Sequence, residues 1–260
     1  MEVAYLPALE TLRELYAQPR DLRRFQTYVQ AITGGTNEIL LPITGANPMA
    51  KEHALREVER LLAFDADGIA AQAARDASAR LVDVPGTLRT SLVLMDDVMG
   101  GWTNRYISEA EDRFSDAPVA HRRIACGMVW TSEATTAAAV RAEMLGTIFR
   151  VAYKDRYRRA ATLRAMLDQE GHTAVFAGMT PTLPTKELIR ARPIIRDYAA
   201  AADKDDYPVA FACMYGDEGA IAADYPALGL PPRTGFEVAL ADALEGGVDP
   251  VAALLEMSAG

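Results

Sequence analysis

The chain has 260 residues, 50% hydrophobic and 24% charged, a composition that excludes intrinsic disorder, collagen-like repeats and a membrane-spanning bundle. Its 27 basic and 36 acidic side chains give a net charge of −9. Such a charge repels nucleic acid and anionic membrane at long range, so the expected partner is a small molecule and neither of these.

The first 35 residues predict a helical pair, one helix over 7–18 and another over 21–32. In the second, Leu22, Phe25, Val29 and Ile32 recur at helical spacing, Asp21 can cap the start, and Gly34-Gly35 can end it. Residues 38–43 (EILLPI) form a short apolar run, followed by the loop TGANPM. Helices then resume from about Lys51, with Leu55, Val58 and Leu62 on one face, and over about 68–81. Pro85-Gly86 marks a turn before a second run, Thr90–Met95. A third run, 123–130, leads into a long helix from about Glu133. A fourth, 173–177, precedes a helix that ends near Ala202. A fifth, 207–214, precedes two short helices near 235–245 and 249–257.

Short apolar runs alternating with helices predict βαβ units, because a parallel strand buried on both faces lacks polar alternation. The expected fold is therefore a single α/β domain over 1–260. It has a mainly parallel five-stranded sheet with helices on both faces, and the N-terminal helical pair packs on it. The rival is an all-α fold in which the runs are buried helix segments. Pro42 already weakens 38–43 as a central strand, and 173–177 could continue the preceding helix.

Ligands of open α/β sheets bind beyond the carboxyl ends of the strands, so the residues after each run are the ones to weigh. The segment DDVMGGWTNRY after the second run is the richest. Asp96 and Asp97 are candidate ligands for Mg²⁺ or Mn²⁺, which prefer oxygen donors. Asp97 is alternatively a group that orients a catalytic partner. Trp102, Asn104 and Arg105 would supply an apolar wall, an amide and a guanidinium for a substrate. The competing structural reading is a turn followed by a helix, with Trp102 in the core and Arg105 paired to an acid.

After the first run stand Asn47, Lys51 and His53, and after the third Glu133. His53 is the candidate general base, since an imidazole titrates near neutral pH. Glu133 joins it as a catalytic carboxylate, while Asn47 and Lys51 are candidate substrate contacts. His121 and His172 precede runs, on the edge away from the expected crevice. Three histidines and no HExxH or paired-cysteine spacing argue against a multi-histidine zinc site. Cys126 and Cys213 lie in apolar runs and read as buried free thiols of a reducing compartment.

No GxGxxG, GxxxxGK[ST] or GxSxG motif is present, so no nucleotide cofactor is expected. The N-terminus lacks the basic and apolar regions of a signal peptide, and the expected location is the cytoplasm. The sequence thus points to an enzyme, hydrolase or lyase, acting on a small polar or anionic metabolite by acid–base or metal-assisted chemistry. The alternative is a non-catalytic ligand-binding or subunit protein of the same fold. A homo-oligomer is compatible with either.

Overall fold

The computed structural model describes residues 1–99, 103–115, 123–200 and 206–256. Its backbone separates into two compact units. Unit 1 comprises Met1–Arg105 and Pro118–Ile148, and unit 2 comprises Tyr106–Ala117 and Phe149–Gly260.

Unit 1 is built on a three-stranded parallel sheet of β1 (Glu2–Tyr5), β2 (Thr87–Met95) and β3 (Ile124–Trp130), in the order β1-β2-β3. Tyr5 pairs with Thr90, and Met95 with Trp130. From Thr90 to Met95 every residue of β2 is buried, as expected of a middle parallel strand covered on both faces. Between β1 and β2 the chain forms α1 (Leu9–Tyr16), α2 (Leu22–Thr33), α3 (Glu52–Ala63) and α4 (Ala66–Arg80). The core of unit 1 draws Leu9, Leu12 and Leu15 from α1, Val58 and Leu61 from α3, and Leu92 and Leu94 from β2. Asp67 accepts hydrogen bonds from the backbone N–H groups of Ala8 and Leu9 and from the Tyr5 hydroxyl, which ties the start of α1 to α4.

Helix α2 runs against expectation. Leu22, Phe25 and Val29 are exposed, and the buried face is Arg24, Tyr28 and Ile32. Asp21 caps its start and Gly34, in the left-handed region, ends it.

Among its described residues, the regular elements of unit 2 are all helices. It holds α5 from Tyr106 (Arg105–Phe114) and the second half of α6 (Ala137–Tyr157). It also contains α7 (Leu163–Ala177), α8 (Thr185–Ala200), α9 (Tyr207–Ala222), α10 (Thr234–Glu245) and α11 (Pro250–Leu255). Phe114, Met166, Ile195, Phe211, Met214, Tyr215 and Val238 are among the side chains of its core.

These elements correct the expected five-stranded sheet. Only the second and third apolar runs are strands. The first, 38–43, is irregular. The fourth is the last turn of α7, closed by Gly178 in the left-handed region. The fifth is the first half of α9, with Pro208 in its first turn, where a missing N–H costs nothing. These two helical runs lie mostly in the core of unit 2, so they lack the polar face that would have marked them as helix. The strand that was not expected, β1, has only four residues, half of them exposed.

Candidate functional site

The carboxyl ends of β2 and β3 lie side by side because the strands are parallel and in register through Met95 and Trp130. Asp96-Asp97 and Thr131-Ser132 follow these ends directly, and the Thr131 N–H donates to the Met95 carbonyl at 3.0 Å. The Thr131 hydroxyl faces both carboxylates, 3.0 Å from Asp97 Oδ1 and 3.3 Å from Asp96 Oδ1. Asp97 also accepts from the Ser132 N–H at 3.0 Å and from the Ser132 hydroxyl at 2.6 Å.

Asp96 is the buried member of the pair. His53 Nε2, from the first turn of α3, lies 2.6 Å from its Oδ1. Asn47 Nδ2, from the loop between α2 and α3, donates to its Oδ2 at 2.8 Å. Asn47 is fixed in turn, since its Oδ1 accepts from the Met49 N–H at 2.9 Å. A carboxylate facing Nε2 assigns the proton of a neutral imidazole to that nitrogen and leaves the lone pair on Nδ1. Nδ1 is closed to solvent and has no hydrogen-bond partner among the described residues.

The sequence-derived candidates thus divide. Asn47, His53, Asp96 and Asp97 come together at one strand edge, joined by Thr131. Glu133 does not join them; it pairs with Arg105, whose guanidinium lies over the Trp130 ring at 5.7 Å from its centroid. Lys51 is exposed and donates to the Met99 carbonyl at 2.6 Å. Asn104 is exposed just before α5. Trp102 lies outside the described residues, as does His121. His172 sits on α7 and faces the Asp168 carbonyl at 2.7 Å.

Asp96 and Asp97 each engage both carboxylate oxygens with neighbouring donors. Among the described residues, no group of three or more His, Cys, Asp and Glu side chains is arranged to hold a metal ion. No helix among them is long and apolar enough to cross a membrane.

Three residues near this edge carry no sequence motif. Thr131, just before a helical stretch, has the form of an ordinary helix cap rather than of a nucleophile. Tyr16 and Arg24 read as ordinary helix residues, yet both are buried, and the Arg24 guanidinium lies over the Tyr16 ring at 5.0 Å. Burial raises the Tyr16 hydroxyl well above its usual pKa; nearby Arg24 opposes the shift, and Asp96 adds to it. The phenol therefore keeps its proton through ordinary pH.

No family model matches the chain, and neither a curated protein nor a solved structure matches it.

Proposed function

We propose that unit 1 carries an acid–base catalytic site for a small polar or anionic metabolite, of hydrolase or lyase type, with His53 as the general base. One observation carries the reading: the buried Asp96 carboxylate, held by Asn47 on one oxygen, presents the other to His53 Nε2 at 2.6 Å. In this geometry Asp96 fixes the tautomer and ring orientation of His53 and stabilises the imidazolium formed when Nδ1 takes a proton. Thr131 and Ser132 hold Asp97 beside the pair. Because Nδ1 is closed to solvent, a substrate must displace its covering contacts to reach it. A divalent metal at Asp96 and Asp97 would compete with His53, Asn47, Thr131 and Ser132 for the same oxygens, so the acid–base form of the reading is preferred.

The second reading is a non-catalytic binding or subunit protein, in which the His53–Asp96 pair ties α3 to the end of β2. The closed Nδ1 and the pairing of Glu133 with Arg105 favour it.

A thermal-shift screen of the whole protein against small polar and anionic metabolites, with and without Mg²⁺ and Mn²⁺, separates the two. A ligand specific for the folded state adds about 2.7 kcal/mol at 100 times its Kd. Hits are then followed for conversion by NMR. The expected result is a hit that is converted, with the rate lowered about 10²–10⁴-fold in His53→Ala and in Asp96→Asn. Conversion that is indifferent to both substitutions, or hits that bind without being converted, would remove the enzyme reading.

A further inference from the structure

Among the described residues, Arg24 is a buried charge without a counter-charge. Its side chain is 2% exposed, and no carboxylate among the described residues lies within salt-bridge reach of it. What it has is backbone: Nη2 donates to the Ala50 carbonyl at 3.0 Å and Nη1 approaches the Gln18 carbonyl at 3.5 Å. The carbonyl end of α1 offers partial negative charge there. Even so, an ion withdrawn from water costs several kcal/mol unless a charge of opposite sign accompanies it. Nor does the charge serve its own helix, because Arg24 lies in the first turn of α2, where the dipole favours anions.

Two donors, on side chains that stack on each other, are also unused among the described residues. Arg24 Nε and the Tyr16 hydroxyl are both buried and have no hydrogen-bond partner among the described residues. Tyr16 is 5% exposed, and the Arg24 guanidinium lies over its ring.

We propose that Arg24 and Tyr16 form a subsite for the carboxylate group of a small organic acid. The match is one of charge and of donor number. A single guanidinium balances one negative charge, and one N–H with one O–H serve the two oxygens of a carboxylate. A phosphate dianion would leave charge and acceptors unmet. Arg24 and Arg20 hold the Ala50 and Met49 carbonyls of the loop that carries Asn47 and leads to His53, so that loop must move aside to admit the ligand. The assignment rests on the reading of this edge as a substrate site and names the substrate class: a monocarboxylate whose reacting end reaches His53. Arg105, which sequence reasoning chose for the substrate's charge, is engaged by Glu133.

The test is a thermal-shift titration of the whole protein with acetate, propionate and glycolate, against inorganic phosphate and chloride at fixed ionic strength. A carboxylate is expected to stabilise saturably. Arg24→Met should raise its Kd at least tenfold and Tyr16→Phe several-fold, while Arg13→Gln on the exposed face of α1 changes it less than twofold. Should Arg24→Met fail to fold, Arg24→Lys keeps the charge without the planar donor set and should still weaken binding several-fold. A purely structural role would shift Tm in these variants and leave Kd alone. The assignment is overturned by no saturable stabilisation, by saturation with phosphate alone, or by an unchanged Kd in the folded Arg24 variant. Turnover that depends on His53 but not on Arg24 overturns this assignment alone. Carboxylate binding governed by Arg24 without His53-dependent turnover overturns the catalytic reading alone.

Discussion

At the scale of single residues, the strongest electrostatic feature of unit 2 is Glu170 on α7. Arg150 Nε donates to its Oε1 at 2.9 Å and Arg113 Nη1 to its Oε2 at 2.7 Å, all three side chains being buried. Burial alone would raise the carboxyl, but Arg150 and Arg113, with hydrogen bonds from Arg150 and Gln169, bring it down to about 2 from an ordinary 4.5. A folded-state value below the unfolded one means stability that is fully present above about pH 4.5. It is lost as pH falls toward 2. Denaturation followed against pH should show this acid-limb loss, and Glu170→Gln should lack it. The same substitution takes the buried carboxylate away from Arg150, while Arg113 keeps Glu109, and should cost about 3–5 kcal/mol at neutral pH.

Cys213 gives a simpler test. Burial pushes its thiol up to about 12, so a thiol reagent at pH 8 should label it only when unfolding exposes it. The site residues show how far such reasoning reaches from sequence. Asn47, His53, Asp96 and Asp97 were legible because each follows an apolar run and belongs to a residue type with acid–base or hydrogen-bonding chemistry. Arg24 was not, since nothing in the pair Arg23-Arg24 says which one turns inward. The apolar spacing of Leu22, Phe25 and Val29 pointed to the opposite face.

Among the elements, α9 contains the sharpest backbone constraint. Its helical path is interrupted at Gly216, with φ 74° and ψ −176°, a region that only glycine occupies readily. A Cβ there would stand 2.0 Å from the Pro231 carbonyl oxygen. Gly178, which closes α7 at φ +70°, has nothing within 4 Å of the same imagined atom. The two separate conformational strain from steric conflict. Gly178→Ala should cost about 1–2 kcal/mol. Gly216→Ala must add a backbone displacement and should exceed about 3 kcal/mol or prevent folding, as read by urea denaturation. Element type was legible where length or capping spoke, as in α2, α3, α4, α8 and α10. It failed at 173–177 and 207–214, because a continuous apolar run is compatible with either a buried strand or a buried helix, and the sequence around it did not arbitrate.

For the whole molecule, the division into units cuts across chain order. Residues 106–117 belong to unit 2 although β2 before them and β3 after them belong to unit 1. A fragment of residues 1–148 therefore keeps all three strands but deprives α5 of its partners. Ala110 and Phe114 lose the core that includes Met166 and Phe211, and Arg113 loses Glu170. Hydrogen exchange on that fragment should find β2 and β3 protected and α5 unprotected, whereas the full chain protects all of them. The uniform alternation of runs and helices concealed this arrangement, because no change of composition marks where one unit gives way to the other.

That interleaving has a consequence for the order in which the protein is made. Glu109 waits for Arg233, 124 residues later, and synthesis at roughly 5–20 residues per second puts them about 6–25 s apart. Once Thr131 has been added the strand edge carrying Asp96 has all its strands, while the inner face of α5 is covered only as Met166, Glu170 and Phe211 follow. The nascent chain thus passes through a stage in which the sheet of unit 1 is complete while Glu109, Ala110, Arg113 and Phe114 of α5 still await the partners that bury them.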